Sequence, residues 1–304
     1  MDKRAITVLA FIFGGLFLVF FAFLALALTA VRAPDGRVSR APQVGVVEID
    51  DVIMDSKRTR EALDRFRKDS RIRGVIVRVD TPGGAVAPTQ EIHDAIIRTA
   101  REKRVVASLG STAASGGYYV AVAADEIVAN PGTITGSIGV ITQLANLEGL
   151  AEWARIDIET LKVGDLKDVG NPFRQMTDDE RQFYYLLLTD IHEQFVTAVA
   201  DGREASLEEI LPVADGRVLT GQQALEAGLV DHLGSFDFAV DRMMELAELK
   251  ERPALIYPKR DELQMLRDLF GAASRSFASG VREELKETAF TSSGPSFWLL
   301  PFAP

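Results

Sequence analysis

The spacing of apolar residues changes character several times along this chain. From residue 5 to residue 31 no side chain is charged, and those 27 residues would rise roughly 40 Å as a helix, more than the roughly 30 Å hydrocarbon layer of a bilayer requires. The run predicts a transmembrane helix behind a short N-terminus at 1–4, and it exceeds the apolar core of a cleaved leader, about 7 to 15 residues. A tether rich in Pro, Gly, Ser and Arg follows at 32–43. The pattern then shortens. Apolar runs at 44–49, 75–79, 105–109 and 126–129 read as strands, and the amphipathic segments 56–68 and 88–102 between them read as helices. Strand, loop and helix in alternation predict an α/β fold with a parallel or mixed sheet.

Further along, 146–155 reads as a helix and 158–163 as a strand with Lys162 pointing outward. Thr177, with Glu180 three residues later, forms a capping box that opens a long helix to about residue 201. Its stripe of Phe183, Leu186, Leu187, Ile191, Phe195 and Val199 marks a packing helix, in the core or between subunits, with Tyr184, Tyr185 and His192 as packing or rim residues. Helices at 221–227, ended by Gly228, and at 236–249 are followed by a last strand at 253–257. The pattern thus divides the chain into a main domain at 44–250, a strand and helix extension at 251–290, and a tail at 291–304. Phe297, Trp298, Leu299, Leu300 and Phe302 make that tail apolar, and it is expected to dock on the protein's own surface.

Composition narrows the function classes. A formal net charge of -10 argues against nucleic acid as a partner, and the absence of Cys excludes disulfides, thiolate metal ligands and a Cys nucleophile. No His pair has metal-ligand spacing, so neither metal nor cofactor is expected. Lys3 and Arg4 stand before the long apolar run and Arg32, Arg37 and Arg40 after it, so the positive charges alone do not orient it.

The candidate chemistry sits where the 105–109 run gives way to Gly110, Ser111, Thr112, Ala113, Ala114, Ser115, Gly116 and Gly117, ahead of a helix-compatible run at 118–125. A serine at a strand-to-helix junction holds its hydroxyl clear of the backbone while the following amides point into the same space, which makes Ser115 the nucleophile candidate. The plain alternative is a helix start packed tightly on a strand. A second glycine turn, Asp80 to Gly84, also follows a strand, and in a parallel sheet both turns open at the same edge. His93, read as a helix-surface residue, and His192 and His232 adjoin none of these loops, so a Ser-His-Asp triad has little support, and a lysine can replace imidazole where burial leaves its amine neutral. By position Lys162 and Lys167 are both open.

Taken together, Asp80 to Gly84, Gly110 to Tyr119, Gly132 to Val140, Lys167-Asp168 with Pro172-Phe173-Arg174, and Thr220 to Ala224 followed by Gly228 to Asp231 resemble the short form of the signal peptide peptidase A family. The resemblance covers about residues 44 to 250. It implies a ClpP/crotonase-like core, a membrane-bound serine endopeptidase with a Ser-Lys dyad, remnant signal peptides or other membrane-released peptides as substrates, and a homo-oligomer. It also implies a catalytic domain on the extracytoplasmic, periplasmic face, and it assigns the base to Lys167 beside Ser115. Backbone N–H groups of Gly84 and Gly116 are then the oxyanion donors, and Ser137 is a candidate for orienting the lysine amine, with a plain turn role as its alternative. Asp80 and Asp168 read as loop-capping residues. Tyr118, Tyr119, Ile134, Ile138 and Val140 are expected to give the cleft an apolar wall. A catalytically silent crotonase-like membrane scaffold, or an acyl-CoA hydratase or isomerase, would use the same fold.

Overall fold

The computed structural model describes residues 41–258. The expected transmembrane run, most of the tether, the helix of the 251–290 extension and the apolar tail lie outside the described residues. The described part is built on an eight-stranded sheet: β1 (Gln43–Asp50), β2 (Ile72–Thr81), β3 (Arg104–Ala114), β4 (Glu126–Ala129), β5 (Ile134–Gly136), β6 (Val218–Thr220), β7 (His232–Leu233) and β8 (Ala254–Ile256). The main path runs β6-β5-β3-β2-β1-β8, and β4 and β7 branch from β3. Every pairing is parallel except β5 with β6.

The central strands are Val- and Ile-rich because helices cover both faces. On one face α1 (Lys57–Lys68), α2 (Val86–Ala100), the short α3 (Gly116–Ala121) and part of α5 (Asp178–Gly202) bury Leu63, Phe66, Ile92, Ile96, Tyr118, Phe195 and Val199 against Val75, Val77, Val105 and Ala107. On the other, α8 (Phe236–Leu246) sets Ala239, Val240 and Met243 on Val44, Ile76, Val106 and Val128. Burying each of these large apolar side chains is worth about 1.5–3 kcal/mol. The remaining helices, α4 (Glu148–Ala154), α6 (Leu207–Ile210) and α7 (Gly221–Glu226), are short.

Strand β3 departs from the sequence expectation in a way that makes the site. It continues beyond Leu109 to Ala114, pairing with β4 through Val106–Ser108 and then with β5 through Thr112–Ala114. Between the two halves its register against β2 jumps, since Val79 faces Leu109 but Thr81 faces Ala113. Asp80 fills that bulge by accepting a 3.0 Å hydrogen bond from Thr112 N, which bears out its reading as a loop cap. Gly110 is required there, because a Cβ would lie 2.5 Å from the Asp80 carboxyl carbon. The stretch read as a loop of small residues is thus a bent strand that delivers Ser115 to the sheet's edge. The expected strand at 158–163 does not form, and these residues are exposed and irregular.

Candidate active site

Ser115 caps α3 with φ 53° and ψ -119°, a conformation L-residues rarely adopt. Such a sharp strand-to-helix turn costs about 1–3 kcal/mol and persists only where its surroundings fix it. Here Ser115 N donates to Gly136 O at 2.9 Å, and Tyr119 N returns to Ser115 O at 2.9 Å. The turn has little room beside it: a Cβ on Gly83, whose φ is +108°, would lie 2.7 Å from Gly116 N. Thr81 Oγ1 accepts from Gly83 N at 3.1 Å and holds that loop from below.

These turns line a cavity of about 540 Å³. Ser115, Gly84, Gly116 and Ser137 all border it, so the sequence candidates from three separate loops converge. A Cβ on Gly116 would stand 3.2 Å from Gly84 N, which places the two amide-bearing segments side by side. Ser137 also has a positive φ, 52°, and donates its N–H to Arg217 O at 2.8 Å.

Lys167 does not line this cavity; it is exposed on the loop before α5. Lys162 is engaged elsewhere, with Nζ 2.5 Å from Asp168 Oδ1 and 2.8 Å from Asp165 O. Asp168 also accepts from Arg174 Nε at 3.0 Å, and these two cations hold its carboxyl well below the usual range. It is a loop-holding residue, as expected.

Of the expected apolar wall, only Tyr119 and Val140 reach the cavity. Tyr118 and Ile138 are buried in the core, and Tyr118 Oη donates to Leu229 O at 2.7 Å. Successive positions on a helix are about 100° apart, so Tyr118 is buried in the core while Tyr119 reaches the cleft. Val52, Val86, Ile141, Ile191 and Phe195 complete the apolar lining. Thr89, Gln90, Asp215 and Gly216 also border the cavity and were not foreseen. The Asp215-Gly216 pair is a turn signal that could have flagged the last two. The surface reading of His93 is corrected: its ring packs edge-on to Tyr119 at 5.0 Å, and burial lowers its pKa.

A strained serine turn beside paired glycine loops, at the edge of a parallel sheet and open to an apolar cleft, defines a class of acyl-transfer hydrolase. Comparison with known proteins makes the class specific. Residues 97–250 match the model of peptidase family S49, and the chain belongs to that family. It is 38% identical over 250 residues to a Synechocystis protein named as a protease, covering 79% of this chain and 90% of that one. It is 33% identical to an Enterococcus faecium protein named as a signal peptide peptidase, over 64% of this chain and 57% of that one. Against Protease 4 of Salmonella typhi the identity is 36%, over 61% of this chain but 30% of that protein. The chain is a peptidase, and the resemblance to signal peptide peptidases holds.

Proposed function

We propose that this chain is a serine endopeptidase in which Ser115 attacks and Lys167 is the general base, acting on remnant signal peptides or other small membrane-released peptides. The observation that carries the reading is the strained Ser115 turn set between the Gly84 and Gly116 segments in one cavity. In acylation the Ser115 hydroxyl oxygen bonds to the scissile carbonyl carbon while its proton passes to the Lys167 amine. The oxyanion takes hydrogen bonds from Gly84 N and Gly116 N. The lysine ammonium then protonates the departing amine as the C–N bond breaks. In deacylation the neutral lysine takes a proton from water, the hydroxide oxygen bonds to the acyl carbon, and the proton returns to Ser115 as the ester breaks.

Among the described residues no lysine borders the cavity, which supports delivery of Lys167 from a neighbouring copy in a homo-oligomer. Ser137, beside Ser115, orients the incoming amine. The apolar lining favours substrates with apolar residues next to the cleaved bond. Residues 5–31 anchor the enzyme in the membrane, with the catalytic domain on the extracytoplasmic face.

The test is hydrolysis of a signal-peptide-derived substrate by detergent-solubilised enzyme. Ser115→Ala and Lys167→Ala should each abolish turnover without changing the melting temperature, while Lys162→Ala retains most of it. A fluorophosphonate should label the parent and fail on Ser115→Ala. Full hydrolysis by either inactive candidate would overturn its assignment.

A further inference from the structure

The loop that carries Lys167 is tied to the body of the protein by one side chain. All five N–H donors of the Arg174 guanidinium are engaged. Nε donates to Asp168 Oδ2 at 3.0 Å; Nη1 donates to Gln175 O at 3.0 Å and Glu180 Oε2 at 2.8 Å; Nη2 donates to Asp168 O at 3.4 Å and Glu180 Oε1 at 2.5 Å. Asp168 directly follows Lys167. Glu180 lies in the first turn of α5, where its carboxylate also accepts Thr177 N at 3.0 Å and so belongs to the capping box. The guanidinium therefore joins the backbone next to Lys167 to the fixed end of a 25-residue helix. Both carboxylate side chains are largely shielded, Asp168 at 12% exposure and Glu180 at 6%. Lys162 takes the remaining Asp168 oxygen, which makes the cluster neutral and leaves Lys167 outside it.

We infer that Arg174 is a positioning residue for the hydrolysis: its five-donor bridge from Asp168 to Glu180 fixes the reach of the Lys167 loop toward the serine that it serves. The inference rests on the reading of Lys167 as the base. The Arg174 hydrogen bonds, followed by that from Thr177 N, lower the Glu180 pKa to about 2, so the bridge stays charged throughout the neutral range. A lysine at 174 would bring only three donors from one point and could not span two carboxylates bidentately.

The test compares full-length Arg174→Ala, Arg174→Lys and Glu180→Gln with the parent in detergent. Measurements are kcat and KM across pH, melting, sedimentation, and amide hydrogen exchange over 164–176. A displaced base costs on the order of 100-fold in rate, so kcat should fall about 10- to 100-fold with KM within about twofold. Arg174→Lys should not rescue it. Amide exchange over 164–176 should quicken. Unchanged kcat in Arg174→Ala overturns the inference, and so does a loss of kcat that accompanies lost assembly or a lowered melting point, which would make Arg174 a fold residue. The underlying reading fails separately, by activity in Lys167→Ala.

Discussion

At the scale of single residues, the site depends on places where a side chain is absent. Gly83 and Gly116 let the two glycine loops beside Ser115 approach to a distance that a methyl group would block. Gly116 offers the cleaner probe because its backbone does not need a positive φ, so alanine can adopt the same conformation. The new Cβ would sit 2.9 Å from Thr89 Oγ1 and 3.2 Å from Gly84 N, in the space assigned to the oxyanion. Gly116→Ala should therefore lower kcat by about 100-fold or more, as loss of an oxyanion donor does, with a lowered melting temperature as Thr89 and the Gly83–Gly84 turn give way. Parent-like kcat in a folded variant would remove Gly84 and Gly116 from the oxyanion role. Ser115, Gly84, Gly116 and Ser137 were legible in the sequence because each sits in a small-residue turn directly after or within a strand-forming stretch. Gln90 was not, since it reaches the cleft from a helix whose period reports only its core-facing side, and Thr89 was not because it is a polar residue on that buried side.

At the scale of elements, the long helices and central strands could be read from period, and the capping box at Thr177 and Glu180 forms as its spacing requires. What escaped were strands of two or three residues, β5 to β7, too short to show any period. The alternating 158–163 segment shows the reverse error, a strand-like pattern on residues that are exposed and irregular. Helix α5 half obeys its stripe: Phe195 and Val199 are buried, whereas Leu186 is 62% exposed. Its buried end is fastened by Arg203, whose Nη2 lies 2.6 Å from Asp231 Oδ1, while Asp231 Oδ2 accepts Ile127 N at 2.7 Å from β4. Burial works to raise the Asp231 pKa, but the Arg203 hydrogen bond and charge outweigh it and hold the carboxyl below its ordinary value. A carboxyl lowered on folding contributes stability above its unfolded pKa of about 3.9 and loses it as pH falls through the folded value. Urea midpoints should thus show the parent more stable than Asp231→Asn near pH 7, with the gap narrowing as the pH falls below about 4. A gap independent of pH would mean that the pair's charge contributes nothing.

At the scale of the whole molecule, the exposed apolar surface and the position of the proposed base Lys167 suit the same assembly. The segment from residue 141 to residue 173 leaves Trp153 82%, Leu161 89% and Val163 96% exposed, and the N-terminal half of α5 continues the patch with Tyr185 and Leu186. Single exposed apolar residues need no explanation, but a run of this size suits the homo-oligomer proposed above. Lys167 rides on that segment, and among the described residues no lysine lines the Ser115 cavity, although Ile141 at the segment's start does. A second copy that covered the segment would receive Lys167 at its own serine, and repetition of the contact around a closed ring would complete every site. Mixing inactive Ser115→Ala with inactive Lys167→Ala tests this directly. Mixed rings contain contacts in which an intact serine meets an intact lysine, so activity should return on co-assembly and vanish on dilution below the assembly threshold. Trp153→Asp, which puts a charge on the segment without touching either catalytic group, should lower the sedimentation coefficient and the turnover together. An active species that sediments as a monomer would place the complete dyad within one chain and end the shared-site reading.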